Sequence, residues 1–320
     1  MLRYLRNLTL VLTLVSTLVL SFGLLGTGLA QTPAQGLSGA LPADSVLVLG
    51  VQDLATIWDD LGDFRGEFER LGVGEALISL FGDETMDELE LEGELDFLEL
   101  LGQDAWLSLS ASSFSPLPAV TALARPDAGA MVTVARLVGE QSARDGASPM
   151  SEGDYSFFVM DLDDPDSPFQ VLAYGQAGDV VYLSTNPDTL RGVLRRLGGA
   201  AEPGLGGSPA YEASLGGLEA GNLYGYLDYA ALAALARPLA TGMGFDRAVN
   251  RLGQALDTLG VSAGVVRFGE DGLETESIQR VDPQGGDSRL LALLSEGGTA
   301  PDATSLAPAD ALSYSSSATH

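Results

Sequence analysis

Short apolar runs along the chain predict a set of β-strands. The first run, SVLVLGV at residues 45–51, has the β-branched and leucine content of a buried strand. Similar runs predict strands at residues 106–110, 119–124, 155–162, 170–175, 179–184 and 222–227. Residues 261–268 and 273–281 flank the turn GEDG and predict a β-hairpin.

Apolar residues at three- and four-residue steps predict the helices. One such stripe covers residues 53–71, and a short second helix follows at residues 72–80. Further helices are predicted at residues 229–239, 245–259 and 288–294. Residues 130–139 fit either a strand or a short helix.

The clearest helix start lies where a predicted strand ends at Ser184. Thr185 or Asn186 has the side chain of an N-cap, Pro187 suits the first helical position, and Asp188 suits the positive end of the helix dipole. Gly198 then ends the helix. Because adjacent pairs of strands alternate with helices, the sequence predicts an α+β fold. We expect a mixed or antiparallel sheet with helices packed on one side.

The first 30 residues are typical of an export signal. Arg3 and Arg6 precede an apolar run over residues 8–25, and small residues follow at Gly28 and Ala30. An uncleaved membrane anchor is the alternative, because the run approaches the length of about 20 residues that spans a bilayer. We therefore predict an exported protein of the periplasm, cell envelope or exterior. Its expected organisation is a linker at 31–40, a single α+β module at 41–294 and a tail at 295–320.

The formal net charge of −28 narrows the choice of partners. A field of this sign repels nucleic acids and anionic lipid surfaces. A basic partner or a divalent cation remains compatible with it, as does a plain solvated surface. The densest acidic stretch, residues 83–104, keeps leucines at helical steps. It fits either an amphipathic helix with an acidic solvent face or an acidic helix that binds a cation or a partner.

Several kinds of catalytic site are excluded by the residue types that the chain lacks. It has no Cys and no Lys, and its single histidine is the last residue, His320. A thiol nucleophile and a Schiff-base lysine are therefore excluded. A Ser-His-Asp triad and a histidine-rich metal site are disfavoured, because chain ends are usually mobile. Carboxylate chemistry remains, so a hydrolase built on paired acids is an unfavoured alternative.

Two residue groups are weak candidates for binding. The stretch DLDDPDSP places four aspartates close together, as calcium loops do, although Pro165 occupies a position where such a loop needs an acid. The candidate ligands are Asp161, Asp163, Asp164 and Asp166. Tyr224, Tyr226 and Tyr229 fit either a sugar-stacking surface or ordinary packing.

Five segments resemble a bacterial exported family known as domain of unknown function thirty-three fifty-two. They are LPADSVLVLGVQDL, LDFLELLGQDAWLSL, VVYLSTNPDTLRGVL, SPAYEASLGGL and NLYGYLDYAAL, and the resemblance covers about residues 41–320. It implies no catalytic residues. We therefore expect a non-catalytic protein that acts by binding or structural contacts, with no cofactor. A Ca²⁺-binding protein is the alternative.

The resemblance also bears on a repeated phrase near the end of the chain. LAPADALSYSSS, from Leu306, restates LPADSVLVLG, from Leu41. Members of the family are typically longer, with a related second module. The phrase thus predicts the first strand of an interrupted second module, and chance recurrence in an alanine-rich tail is the alternative.

Overall fold

The computed structural model describes residues 36–53, 102–111, 118–144, 146–162, 169–216, 218–242, 246–269, 272–282 and 284. The predicted export signal lies outside these residues. So do nearly all of the predicted helices at 53–71 and 72–80, the acidic stretch up to residue 101, the predicted helix at 288–294 and the tail.

Ten strands form one sheet in which every neighbouring pair is antiparallel. The strands are β1 (Ser45–Gln52), β2 (Asp104–Ser110), β3 (Ala119–Arg125), β4 (Ser148–Glu152), β5 (Tyr155–Asp161), β6 (Val171–Ala177), β7 (Val180–Ser184), β8 (Leu223–Asp228), β9 (Val261–Gly269) and β10 (Gly272–Arg280). Their order across the sheet is β10-β9-β8-β1-β2-β3-β7-β6-β5-β4. The predicted α+β fold is confirmed, and of the two expected kinds of sheet, mixed or antiparallel, the described strands form the antiparallel one.

The described residues also hold five α-helices and two 3₁₀ turns. The helices are α1 (Ala128–Arg144), α2 (Pro187–Leu197), α3 (Pro209–Leu215), α4 (Tyr229–Gly242) and α5 (Asp246–Leu259), and the 3₁₀ turns are Leu37–Ala40 and Leu205–Gly207. Residues 130–139, which fit a strand or a helix, belong to α1. The short strand β4, which the sequence analysis did not predict, follows α1.

Helix α2 begins and ends as its sequence predicts. The Asn186 side chain accepts hydrogen bonds from the backbone N–H groups of Asp188 and Thr189, each at 3.0 Å, and Pro187 is the first helical residue. At the other end, the Gly198 N–H donates to the Leu194 carbonyl at 2.9 Å. Local chemistry thus fixes the bounds of this helix without help from distant residues.

Helices lie against both faces of the sheet. Successive strand residues point to opposite faces, so Val48 and Leu47 mark the two sides of β1. Val48 belongs to the main core cluster together with Leu190 and Leu194 of α2. Leu47 belongs to a second cluster, against which Leu232 of α4 packs. The position of α4 therefore differs from the expectation that helices pack on one side.

The folded core begins before the predicted module boundary at residue 41. The 3₁₀ turn Leu37–Ala40 falls in the segment expected to be a linker, yet Leu37 and Ala40 are buried in the main cluster with Leu41. Arg196 of α2 also binds the turn, since its Nε donates a hydrogen bond to the Ala40 carbonyl at 2.8 Å. These apolar residues remove the turn from solvent, so the linker prediction is wrong for residues 37–40.

The six strands from the β10 edge to β3 repeat one arrangement about a local two-fold axis. The order β10-β9-β8-β1-β2-β3 reads the same from both ends when β1 is matched to β8, β2 to β9 and β3 to β10. The axis passes between Leu49 and Gly225, which lie opposite each other in the β1–β8 pair. In this matching Gly50 corresponds to Tyr226, and Trp106 corresponds to Ala263. The large residue of the pair is therefore on the second strand in one half, where Trp106 lies opposite Gly50. It is on the first strand in the other half, where Tyr226 lies opposite Ala263.

In each half of this repeat, a glycine before the second strand packs against the end of the third strand. Gly102 and Gly260, just before β2 and β9, have φ of +64° and +63°. A Cβ on Gly102 would lie 2.1 Å from the carbonyl oxygen of Arg125, and one on Gly260 would lie 2.3 Å from that of Arg280. Both arginines end a strand, and an aspartate follows each two residues later. Glycine is required at both places because the backbone conformation and the close approach each exclude a side chain.

Candidate functional site

Only one of the four predicted calcium ligands, Asp161, lies among the described residues. Asp161 is the exposed last residue of β5, and Asp163, Asp164 and Asp166 lie outside the described residues. The Leu162 N–H donates to the Gln170 carbonyl at 2.8 Å, which joins the two sides of this connection. Among the described residues, no group of three or more Asp, Glu or His side chains is arranged to hold a metal ion.

Asp104 is a buried carboxylate that links three parts of the protein. Its side chain accepts hydrogen bonds from the Leu37 N–H at 3.2 Å, from Trp106 Nε1 and from Arg125 Nη1 at 3.4 Å. The sequence places it at the end of an acidic stretch read as helical, but it is the first residue of β2 and only 7% exposed. Reading it as part of a solvent-facing acidic helix is therefore wrong for Asp104. Its carboxylate ties the N-terminal 3₁₀ turn to the sheet.

Arg125 extends this contact toward the sheet's other half. Its Nε lies 2.8 Å from a carboxylate oxygen of Asp179, in the turn between β6 and β7. The Asp179 side chain is largely exposed, so this second ion pair adds little stability. The longer contact with Asp104 matters because the Asp104 side chain is only 9% exposed, so that its charge needs donors from the protein.

The tyrosines of β8 pack in the core and do not offer a stacking surface. Tyr224 is 3% exposed and Tyr226 is 2% exposed. The Trp106 ring centroid lies 5.4 Å from that of Tyr224, and the Tyr211 ring lies 5.2 Å from that of Tyr226. Burial raises the pKa of Tyr226 to about 12 and also raises that of Tyr211. Tyr229 packs against the cluster on the opposite face. The three candidate tyrosines therefore share no surface, and those of β8 are kept neutral.

A row of hydroxyl groups crosses the main core face of β2, β3 and β7. Ser108 lies opposite Thr121, and Thr121 lies opposite Ser184. The Thr121 and Ser184 hydroxyl oxygens are 3.0 Å apart, and Ser184 also donates to the Val120 carbonyl at 3.1 Å. Sequence reasoning missed this row because small polar residues in a strand carry no sign of the face they will occupy. The hydroxyls of Thr121 and Ser184 are used in strand-to-strand contacts.

Glu276 is a second buried carboxylate, and it lies on the edge strand β10. It is 4% exposed and accepts hydrogen bonds from Arg267 Nη1 at 3.0 Å and from the Glu219 N–H at 3.2 Å. Arg267 also binds Glu274 through Nε at 3.2 Å. The hydrogen bond to Glu274 is the largest cause of a raised pKa for Arg267. The arginine thus joins both acids of β10 to β9 and stays charged.

The two edges of the sheet differ in how they are protected. The edge strand β4 has five residues and contains Pro149, which has no N–H to offer to another strand. The edge strand β10 has nine residues, no proline and an unbroken register with β9 from Gly272 to Arg280. In the part of the chain that the structure describes, no strand pairs with its outer side. Among the described residues, β10 therefore lacks the proline and the short length that protect β4.

None of the helices in the described ranges has both the length and the apolar character needed to cross a bilayer. The alternatives of a cleaved signal and a membrane anchor both concern residues outside those ranges.

No protein-family model matches the chain, and neither a curated protein nor a solved structure does. The resemblance to domain of unknown function thirty-three fifty-two therefore stays a prediction from its motifs. The case for function depends on the geometry of the described residues.

Proposed function

We propose that this protein is exported and acts at the cell envelope or outside the cell, by binding or structural contacts and without catalysis. The observation that carries the proposal is the structural role of the two buried carboxylates. Asp104 and Glu276 each accept hydrogen bonds from an arginine and from the backbone N–H of a separate segment. Both groups hold the fold together.

A catalytic carboxyl group needs different surroundings. A general acid must reach the substrate and release a proton near the working pH. Asp104 and Glu276 are more than nine-tenths buried and already bound to donors. The buried tyrosines favour the same proposal, since Tyr211, Tyr224 and Tyr226 are at most 7% exposed and their hydroxyls are not accessible to a substrate.

The absence of turnover is tested with the purified full-length chain and panels of glycoside, ester and peptide substrates. We expect rates equal to those of a buffer control. Turnover that a single Asp→Asn or Glu→Gln change abolishes, in a variant with an unchanged circular dichroism spectrum, would refute the proposal in favour of a carboxylate hydrolase.

Export is tested separately by labelling intact cells and sequencing the N-terminus of the recovered protein. We expect the body of the protein outside the cytoplasmic membrane and a first residue at Gln31. An intact Met1 in the membrane fraction would select the anchor alternative, and recovery from the cytosol would contradict export.

Calcium binding is tested by titrating Ca²⁺ into chelator-treated protein in a calorimeter. We expect neither binding heat nor a change in melting temperature, because Asp161 is the solvent-exposed end of a strand. A saturable heat that disappears in Asp161→Asn, but persists in Asp154→Asn at another exposed site, would establish the calcium-binding alternative.

A further inference from the structure

The first described residues form a strap across the main core face. Residues 36–44, which we call the N-terminal strap, include the 3₁₀ turn Leu37–Ala40 and lead into β1. The strap starts at one end of β2, where the Leu37 N–H donates to Asp104 at 3.2 Å. It finishes at the other end of β2, because Ser45 lies opposite Ser110. The strap therefore runs along the length of β2.

Hydrogen bonds to its backbone carbonyls hold the strap against two other segments. The Ala40 carbonyl accepts from Arg196 Nε of α2 at 2.8 Å, and the Leu41 carbonyl accepts from the Leu205 N–H at 2.9 Å. The Leu41 side chain is fully buried in the main cluster. The strap is thus a part of the core and not a loop that lies over it.

The strap is closely fitted to its surroundings. A Cβ on Gly204 would lie 2.0 Å from the Gly39 carbonyl oxygen, so only glycine allows this approach. Next to this contact, Pro42 forms an antiparallel bridge with Gly204. Because these contacts are close and belong to the core, the strap leaves its place only when this part of the core opens.

We propose that removal of the export signal must precede the seating of the strap, so that the core closes only after the cut. The inference rests on the proposed function, because it assumes an export signal that ends at Ala30. The cut hydrolyses the Ala30–Gln31 peptide bond with one water molecule, and it leaves a carboxylate on Ala30 and an amine on Gln31. A membrane-bound signal peptidase performs this step.

The short distance between the cut and the strap supports this order. Five residues, 31–35, separate Ala30 from the strap, and a fully extended chain of this length spans about 18 Å. A seated strap therefore holds the folded body within about 18 Å of the peptidase. Before the strap is seated, residues 31–44 together separate the cut from β1, and they reach about 50 Å at full extension. Since a protease needs chain that is exposed and free of internal hydrogen bonds, the unseated chain is the better substrate.

The test presents the full-length chain to a purified bacterial signal peptidase in detergent micelles in two ways. In one, the chain is added directly as it is diluted from urea, and in the other its refolding is completed first. We expect the refolded chain to be cut at least about tenfold more slowly, because cutting then follows the population of opened chain. Inserting about ten Gly and Ser residues between Gln35 and Gly36 lengthens the connection. The insertion should remove the difference in rate and leave the urea-unfolding midpoint unchanged.

Two arginine variants of α2 provide a matched comparison. Arg196→Ala removes the donor to the Ala40 carbonyl, so we expect the refolded variant to be cut about fivefold faster than the original chain. Arg191→Ala makes the same change on the same helix, but Arg191 binds Asp188 and not the strap. Its rate should equal that of the original chain.

Four results would overturn the inference. They are equal cutting rates for the two presentations, slow cutting that persists after the insertion, equal rates for the two arginine variants, and no cutting in either presentation. The first three would leave the proposed export intact, whereas the last would select the membrane anchor. Circular dichroism of each refolded variant separates unseating of the strap from general unfolding. Turnover by the protein would defeat the non-catalytic part of the proposed function without changing the order of cutting and seating.

Discussion

The contact between Gly50 and Trp106 offers a sharp test of the packing at the sheet's centre. A Cβ at position 50 would lie 2.3, 2.4 and 2.6 Å from three carbons of the Trp106 ring. These distances are about 1 Å shorter than ordinary carbon contacts, so Gly50→Ala requires the ring to move. The ring has little freedom to do so, since it is 3% exposed, packs against Tyr224 and donates to Asp104 through Nε1.

The expected cost follows from two opposing effects. Overpacking a filled core costs about 1–3 kcal/mol, while replacing a strand glycine by alanine recovers about 0.5–1 kcal/mol of backbone entropy. We therefore expect Gly50→Ala to lower the free energy of unfolding by about 1–2 kcal/mol, measured by urea unfolding. Tryptophan fluorescence should shift at the same time.

Gly139→Ala is the matched control for this change. Gly139 lies in α1, and a Cβ there would meet no atom within 4 Å, so we expect stabilisation of up to about 1 kcal/mol. If Gly50→Ala were as stable as the original chain, or if both variants shifted in the same direction, the described contact between Gly50 and Trp106 would be wrong.

Three further substitutions test other contacts. Asp104→Ala leaves the Leu37 N–H and the side-chain donors of Trp106 and Arg125 without their acceptor. We therefore expect the free energy of unfolding in urea to fall by about 3 kcal/mol, with faster proteolysis near residue 37. Asn186→Ala removes the cap of α2 and should cost about 1 kcal/mol by the same assay. Tyr182 has a folded-state pKa of about 12, raised chiefly by burial, and its ordinary value is about 10. The stabilisation from its neutral form is complete below pH 10 and is lost as the pH rises to about 12. Tyr182→Phe should therefore flatten the alkaline loss of stability, while costing about 1 kcal/mol at neutral pH through the lost bond to the Ser156 carbonyl.

Controls separate these effects from general damage. Asp188→Ala removes a largely exposed partner of Arg191 and should cost well under 1 kcal/mol, in contrast to Asp104→Ala. Asn186→Asp keeps an acceptor oxygen and should preserve the cap of α2. An alkaline profile that is unchanged in Tyr182→Phe would show that other groups set it.

The sequence predictions that proved correct depend on interactions between residues that are close together in the chain. The start of α2 at Pro187 needs only the residues beside it, and the hairpin of β9 and β10 needs only two strand-like runs and a short turn. Residues 130–139 remained ambiguous because their apolar residues fit both periods. Strand β4 was missed because its polar residues and Pro149 lack the pattern of a buried strand.

The features of the candidate site depend on contacts between distant residues. Asp104 looks like one more acid in an acidic stretch until Leu37 and Arg125 lie beside it. The internal two-fold arrangement is equally hard to see in the sequence. The pair Gly50 and Trp106 in one half corresponds to the pair Tyr226 and Ala263 in the other, so a glycine matches a tyrosine and a tryptophan matches an alanine. The two cross-strand pairs have similar combined side-chain volumes, although the residue types at matched positions differ. A comparison of residue types alone therefore does not reveal the repeat.

The central position of β1 delays the completion of the fold. One of its neighbours, β2, is the next strand that the structure describes along the chain. The other neighbour is β8, so Leu49 cannot pair until Gly225 has been made. Closing so long a loop before its contacts form slows folding. A newly made chain therefore has one side of its first strand unpaired until most of the polypeptide has been synthesised. An early stop before β8 would leave that side permanently available to aggregate.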